Sequence, residues 1–170
     1  MDRSRRWTHR DDGTGVVVFL IGMRVNRWRR VRAWWPVFTA MPRMLSELYA
    51  DPASGLLGHR MTLSADGPLV VQYWRDREHL MAYARDPSRG HRPAWQRFNA
   101  SARASEGAVG IWHETFDVPA GASESIYLDM PLRGLAAATG VAQPERPEGK
   151  RPERERLAKE RLAKERLSRP

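Results

Sequence analysis

The chain contains no cysteine, which excludes disulfide bonds, thiolate metal ligands and a cysteine nucleophile. This absence also fits a protein of the reducing cytoplasm, and we expect that localisation. Long hydrophobic runs are absent as well. The longest, VVVFLIGM at residues 16–23, is far shorter than the roughly 20 residues that a membrane span needs. We interpret this run as a buried strand and expect no membrane span.

Several sequence motifs of well-known enzyme classes are missing. There is no GxSxG, no Walker loop and no GxGxxG, so the sequence does not support serine-hydrolase, P-loop or Rossmann chemistry. The five histidines show no HxH or HxxxH spacing. We therefore predict no local metal site, because a zinc or non-haem iron centre would have to be assembled from distant positions.

Lysine is scarce and confined to the C-terminal end, at Lys150, Lys159 and Lys164, although the net charge is +9. The rest of the chain relies on arginine. One group of arginines has no acidic residue among its members: Arg24, Arg27, Arg29, Arg30 and Arg32. Such a group attracts nucleic acid, anionic lipid or an anionic substrate, or it is simply a solvated surface. Because no nucleic-acid-binding motif is present, we expect no specific nucleic-acid partner.

The composition changes near the C-terminus, and this change sets the domain boundary. Residues 142–170 are rich in charge, and RLAKE occurs twice, at 156–160 and 161–165. Leucines recur there every five residues, which turns each one roughly 140° from the last on a helix, so no apolar stripe forms. We predict a disordered or helical charged tail over 142–170, a folded domain over 14–141 and a flexible N-terminus over 1–13.

The domain contains alternating strand and helix patterns. A helical region is predicted over 34–50, with a turn or kink at Pro42 because proline cannot continue the helical hydrogen bonding, and then a helix over 42–50. Asp76 is a suitable N-cap and Pro93 suits a first helical position. The other predictions are strands over 16–24, 56–63, 69–74 and 109–118, helices over 76–85 and 93–104, and a short edge at 125–128.

The order of these elements, β-α-β-β-α-β, predicts an α+β protein with a ferredoxin-like fold, in which helices cover one face of an antiparallel sheet. The first strand is nevertheless apolar on both faces. The predicted helices can cover only one face, and the rest of the chain offers too few helices to cover the other, so a second copy of the chain should cover it. We therefore expect a homodimer in which sheet packs on sheet.

Six segments follow one another along the chain: FLIGMRVNRW (19–28), WWPVFTAMPRMLSELY (34–49), VVQYWRDREHLMAYARDP (70–87), HRPAWQRFN (91–99), VGIWHETF (109–116) and ESIYLDMP (124–131). In this order they resemble a family of monooxygenase-like proteins of the fumagillin-biosynthesis type. The resemblance covers about residues 13–136 and implies a dimeric α/β barrel of the antibiotic-biosynthesis monooxygenase-like superfamily.

The resemblance implies a small monooxygenase that acts on a hydrophobic conjugated or phenolic metabolite without a cofactor. Related proteins of the superfamily bind haem, and others are degradative lyases or stress-response proteins. Two alternatives therefore stay open: a haem-binding enzyme, and a non-catalytic ligand-binding or stress-associated dimer.

Two histidines are candidates for a catalytic base that removes a proton from the substrate. His91 either acts as that base or as a haem ligand at the mouth of a pocket, or it organises the loop before Pro93. His113 alternates with Trp112 and Glu114 on a strand, and it is either catalytic or a paired core histidine. His59 and His79 are expected to be structural or solvated.

The remaining candidates are one arginine and four aromatic residues. Arg24 either stabilises an anion that develops on the substrate or pairs with an acid such as Glu114. Aromatic residues are expected to bind substrate if they face a pocket between the sheet and the helices, and otherwise to belong to the core or to the dimer interface. The four are Tyr73, Trp74, Trp95 and Trp112.

Overall fold

The computed structural model describes residues 6–104 and 107–142. Its strands are β1 (Thr8–His9), β2 (Val16–Val25), β3 (Leu56–Ser64), β4 (Gly67–Trp74), β5 (Val109–Val118) and β6 (Val141–Ala142). Its helices are α1 (Val31–Ala50), α2 (Arg77–Arg85), α3 (His91–Ala104) and α4 (Gly134–Thr139).

The main sheet has four strands in the order β3-β4-β2-β5, and each neighbouring pair is antiparallel. Strand β2 is connected to β3 through α1, and β4 is connected to β5 through α2 and α3. This arrangement is the ferredoxin-like fold, so the predicted α+β class and the β-α-β-β-α-β order are confirmed. Strands β1 and β6 form a separate two-stranded sheet.

The two sides of the main sheet have different surroundings. Val17 pairs with Trp74 across β2 and β4, and both are buried against α1 and α2 in a core cluster that also contains Leu48, Leu80 and Tyr83. Side chains alternate along a strand, so the odd-numbered residues of β2 share this helix-facing side. The even-numbered residues of β2 lie on the opposite, outer side.

Helix α1 differs from its prediction because it is continuous through both Pro36 and Pro42. Each proline removes one helical hydrogen bond, and the sequence pattern alone favoured a turn at Pro42. The structure shows buried residues on both sides of that proline, with Ala33 before it and Leu45 and Leu48 after it. We infer that this packing on the core outweighs the missing hydrogen bond.

Helix α3 begins at His91, two residues earlier than predicted. Pro93 is therefore the third helical residue rather than the first. The change costs no hydrogen bond, because the first four backbone N–H groups of a helix lack partners within the helix. His91 is consequently part of the first turn of α3 and does not lie in a preceding loop.

The N-terminal segment contacts the rest of the domain at Trp7–His9. The backbone of Trp7 exchanges two hydrogen bonds with Tyr127, at 3.1 and 2.9 Å, and the two rings stack with centroids 4.1 Å apart. The flexibility of residues 1–13 stays a prediction. The predicted edge at 125–128 corresponds to this isolated bridge. The predicted charged tail lies outside the described residues.

None of the helices in the described part of the chain is both long and apolar enough to cross a membrane.

Candidate active site

Strand β5 presents an accessible histidine on the side of the sheet that faces the helices. His113 pairs with Ile21 of β2 and Thr115 pairs with Phe19, so all four side chains lie on the helix-facing side. The His113 ring contacts the Phe19 ring with centroids 5.6 Å apart, yet His113 remains exposed. No hydrogen bond joins this imidazole to any side chain or backbone group that the structure describes.

Two features close the ends of this surface along β5. At one end Asp117 accepts hydrogen bonds from Arg77 of α2, with Nη2 2.6 Å from Oδ2. At the other end Val109 and Met23 are buried. Between these ends His113 is exposed on β5, an edge strand of the sheet, and we name this exposed surface around Phe19 and His113 the β2–β5 cleft.

Gln72 is a buried polar residue beside this cleft. It pairs with Phe19 across β4 and β2 and is only 4% exposed. Its Oε1 accepts a hydrogen bond from the Trp74 indole at 2.9 Å, and its Nε2 lies 3.7 Å from the Met41 sulfur. Because a thioether is a weak acceptor, the amide keeps capacity to donate to a ligand oxygen.

His91 is oriented by a backbone contact. Its Nδ1 lies 3.0 Å from the carbonyl oxygen of Ala84. A carbonyl oxygen only accepts, so Nδ1 carries the hydrogen and Nε2 holds the lone pair in the neutral ring. The ring also packs against Tyr83, with centroids 6.1 Å apart. This geometry suits a proton acceptor or a metal ligand at Nε2.

A carboxylate on α1 connects three segments near His91. Glu47 accepts hydrogen bonds from the Tyr83 hydroxyl at 3.3 Å and from the Gly90 backbone at 3.0 Å. Burial raises the pKa of Tyr83, and the nearby Glu47 charge raises it further. Tyr83 therefore stays protonated and donates to Glu47, which fixes the residue that precedes His91.

Tyr49 and His59 form a pair that the sequence did not reveal, with the hydroxyl oxygen 2.7 Å from Nδ1. Partial burial lowers the pKa of His59. His59 pairs with Gln72 across β3 and β4, so it too lies on the helix-facing side.

The sequence carried a signal for the position of Gln72, because side chains alternate along the strand LVVQYW and Gln72 therefore lies on the same side as Val70 and Trp74. The contact between Tyr49 and His59 depends on tertiary structure, and no local sequence signal predicts it.

Three of the four predicted aromatic binding residues do not line the β2–β5 cleft. Trp74 is almost fully buried in the core. Tyr73 and Trp112 alternate with residues of the helix-facing side and therefore lie on the outer side. The Trp112 indole covers Gly22, where a Cβ would lie 2.5 Å from its Nε1. Trp95 is exposed on α3 beside Phe98.

Arg24 does not share a site with His113. It lies on the outer side of β2, opposite Gly110, and its Nη1 is 3.0 Å from an oxygen of Asp66. Its ion-pair partner is thus Asp66 and not Glu114. Since His113 lies on the helix-facing side, Arg24 cannot stabilise an anion that forms beside His113 in the same subunit.

Within residues 6–104 and 107–142, no group of three or more histidine, aspartate or glutamate side chains is arranged to hold a metal ion.

Solved structures that resemble the chain include three informative examples. The aldoxime dehydratase OxdRE, in complex with butyraldoxime, has a TM-score of 0.58 and 21% identity, covering 85% of this chain and 40% of the dehydratase. SnoaB from Streptomyces nogalater, a cofactor-independent oxygenase, has a TM-score of 0.42 and 16% identity, covering 60% of this chain and 91% of SnoaB. A dimeric ferredoxin-like protein of unknown function from Jannaschia sp. CCS1 has a TM-score of 0.41 and 20% identity, covering 59% and 98%.

At 21% identity the likeness to the dehydratase shows the fold alone, and the chain spans less than half the length of that protein. No curated protein matches the chain. The sequence model of one family, described as Monooxygenase af470-like, matches residues 16–135. This range contains all the strands of the main sheet and the helices between them. The chain therefore belongs to the Monooxygenase af470-like family.

Proposed function

We propose that the protein is a cytoplasmic monooxygenase that oxidises a hydrophobic conjugated or phenolic metabolite, in a biosynthetic pathway of the fumagillin type. The observation that carries this proposal is the exposed imidazole of His113 beside Phe19 in the β2–β5 cleft. The apolar floor binds a conjugated ring, and the imidazole removes an acidic proton from it. Histidine is the side chain used most often for such a transfer.

The reaction that we propose needs no external reductant. Loss of a proton from an activated methylene group gives an electron-rich anion, which reduces molecular oxygen. The overall change converts R₂CH₂ and O₂ into R₂C=O and H₂O, so one oxygen atom enters the product and the other leaves as water. The substrate supplies all the electrons, and His113 returns its proton to the reduced oxygen, so that both methylene hydrogens leave in the water.

Gln72 takes the role that the sequence suggested for Arg24. Its amide nitrogen is directed at the weak sulfur acceptor of Met41. Gln72 lies on β4, next to Phe19 on the neighbouring strand β2. A substrate oxygen that carries developing negative charge is a better acceptor than sulfur, so the amide stabilises the anion. Trp95, exposed on α3, is the remaining candidate for an aromatic wall.

The outer side of the sheet supports the predicted homodimer. Leu20 and Val71 lie at its centre, and β5 adds Trp112 and Phe116, which are 39% and 50% exposed. Helices α1–α3 do not cover this side, and α4 packs on it at β3, where Ala138 lies against Gly58. A second copy that packs sheet on sheet would bury this apolar surface and give the dimeric α/β barrel.

A haem-binding enzyme is the second candidate, and the orientation of His91 favours it. Metal-ligating histidines almost always donate their second ring N–H to a carbonyl or carboxylate, as His91 does toward Ala84. In this role His91 would hold the haem iron through Nε2, and haem would supply the redox chemistry.

Oxygen consumption with a panel of aryl ketones that carry an activated methylene group, together with polyphenols, tests the proposed activity. We expect uptake by the purified protein without added metal, flavin or nicotinamide, and one ¹⁸O atom in the product from ¹⁸O₂. Saturable binding of the same compounds without oxygen uptake would contradict the proposal. That result would favour the non-catalytic ligand-binding dimer.

A further inference from the structure

Aromatic side chains at the start of α1 form a cluster that remains exposed. The Trp34 ring contacts those of Trp28 and Trp35, with centroids 5.7 and 5.8 Å apart, and the Trp35 and Phe38 rings stack at 5.8 Å. Trp28 is 68% exposed, Trp35 52% and Phe38 43%. Contiguous apolar exposure of this kind marks an interaction surface.

The exposed residues of α1 form a stripe along one side of the helix. Val31, Trp35, Phe38 and Pro42 are spaced so that they fall within about 60° around an ideal helix, and all four are exposed. Met44 and Leu48, which contact the core, lie on a different side. The stripe is therefore not part of the packing between α1 and the sheet.

Arginines accompany this stripe, with no acidic residue nearby in the sequence. Arg29, Arg32 and Arg43 are exposed, and residues 13–46 contain no aspartate or glutamate. Arg32 and Arg43 lie about 100° around the helix from the stripe. Their long aliphatic side chains allow the guanidinium groups to reach anionic groups at the boundary between the apolar stripe and the polar side of the helix.

We propose that this α1 docking surface, made of the stripe and its flanking arginines, binds the surface of an anionic lipid membrane. Exposed Trp and Phe beside arginine on one helix are the features of helices that lie in the plane of a bilayer interface. The aromatic rings would enter the headgroup region, and the arginines would bind lipid phosphates. The inference does not depend on the proposed oxidation.

Other occupants fit this surface less well. A second copy would bring arginines against arginines. Residues 143–170 contain ten basic and six acidic side chains, so this segment also lacks the complementary charge. The surface stays open in the proposed dimer, because α1 packs on the side of the sheet opposite to the outer side.

The test is co-sedimentation of the full chain with vesicles of phosphatidylcholine alone or mixed with phosphatidylglycerol. We expect binding to the anionic vesicles only, and a decrease in binding as salt is added. Two double variants, Arg29→Glu with Arg32→Glu and Trp35→Ser with Phe38→Ser, should each lower the affinity at least tenfold. All four residues are exposed, and all but Arg29 lie on α1. Thermal melting checks that the variants fold.

Two controls carry the same change in charge as the arginine variant. One is Arg75→Glu with Arg85→Glu on the folded body, and the other is Lys159→Glu with Lys164→Glu near the C-terminus. Both should bind anionic vesicles like the unmodified protein. Equal losses in the controls would overturn the proposal by showing attraction through net charge alone. Absence of binding at low salt, or displacement from the vesicles by single-stranded DNA at stoichiometric amounts, would overturn it as well.

Discussion

His113 and Phe19 lie on neighbouring strands with their rings 5.6 Å apart, on the side of the sheet that the helices face. Phe19 packs against the core cluster, whereas His113 is exposed. A basic group is thus held on a rigid apolar support at the edge of the sheet. This relationship, rather than a cluster of charged residues, is what suits the site to deprotonate an apolar substrate.

Replacement of Gln72 by leucine should destabilise the protein, because the Trp74 indole would lose its buried acceptor. An unsatisfied buried donor costs about 1–3 kcal/mol, which urea unfolding measures. Trp74→Phe removes the donor, so the double variant should lose less stability than the sum of the two single variants, with a coupling of about 1 kcal/mol. Strict additivity would show that this hydrogen bond contributes nothing to stability.

The outer side of the sheet predicts how the two subunits are oriented. Arg60, Val71, Leu20 and Glu114 form one row across the four strands, with opposite charges at its two ends. A two-fold axis parallel to the strands places Arg60 over the partner subunit's Glu114, and does so twice per dimer. An axis perpendicular to the strands places like charges together, which is unfavourable.

Charge reversal tests this orientation. Arg60→Glu and Glu114→Arg should each raise the dimer dissociation constant about tenfold, which corresponds to about 1.4 kcal/mol. The double variant should restore it, because the pair is exchanged rather than lost. Sedimentation equilibrium measures all four proteins. A double variant weaker than both single variants would exclude this pairing, and a monomeric parent protein would exclude the dimer.

Asp51 gives a predicted pH dependence of stability. Hydrogen bonding to Arg89 holds the pKa of Asp51 below its usual value of 3.8. A carboxyl whose pKa is lower in the folded state stabilises the fold above the unfolded pKa, and this stability is lost as the pH falls through the folded value. Asp51→Asn should therefore melt at a lower temperature at pH 7, and the difference should shrink below pH 3.8. A constant difference would contradict the ionic origin.

Haem addition separates the two enzyme candidates. If His91 is an axial ligand, haem should give a Soret band that His91→Ala abolishes, because Nε2 is the group left for the metal. His79→Ala serves as the control, since His79 contacts Asp76 at the start of α2. A haem spectrum that is unchanged in His91→Ala would remove His91 as the ligand.

The order of the main elements was predictable because each carries a local signal. The apolar run of β2, the apolar segment of β4 and the Asp76 N-cap of α2 are all readable over a few residues, and the structure confirms them. The continuity of α1 was not predictable. It depends on burial of Leu48 against Val17 and Trp74, on strands that are distant in sequence.

The candidate site was predictable only in part. The alternation in β5 leaves open which side of the sheet holds His113, and only the pairing with β2 decides it. The pairing of β2 with β4 places Trp74 on the helix-facing side and Tyr73 on the outer side. Arg24 of β2 also lies on the outer side, away from the cleft. The contact between Tyr49 and His59 joins a helix to a strand and has no trace in the local sequence pattern.

The most direct test of the central claim is the rate of oxygen uptake by His113→Gln with the best substrate of the panel. Loss of a positioned base should lower kcat/KM by roughly 10²–10⁴-fold, with no change in melting temperature because His113 is exposed. His79→Gln should keep the rate of the unmodified protein. An unchanged rate in His113→Gln would show that the base lies elsewhere and would contradict the assignment of the active site to the β2–β5 cleft.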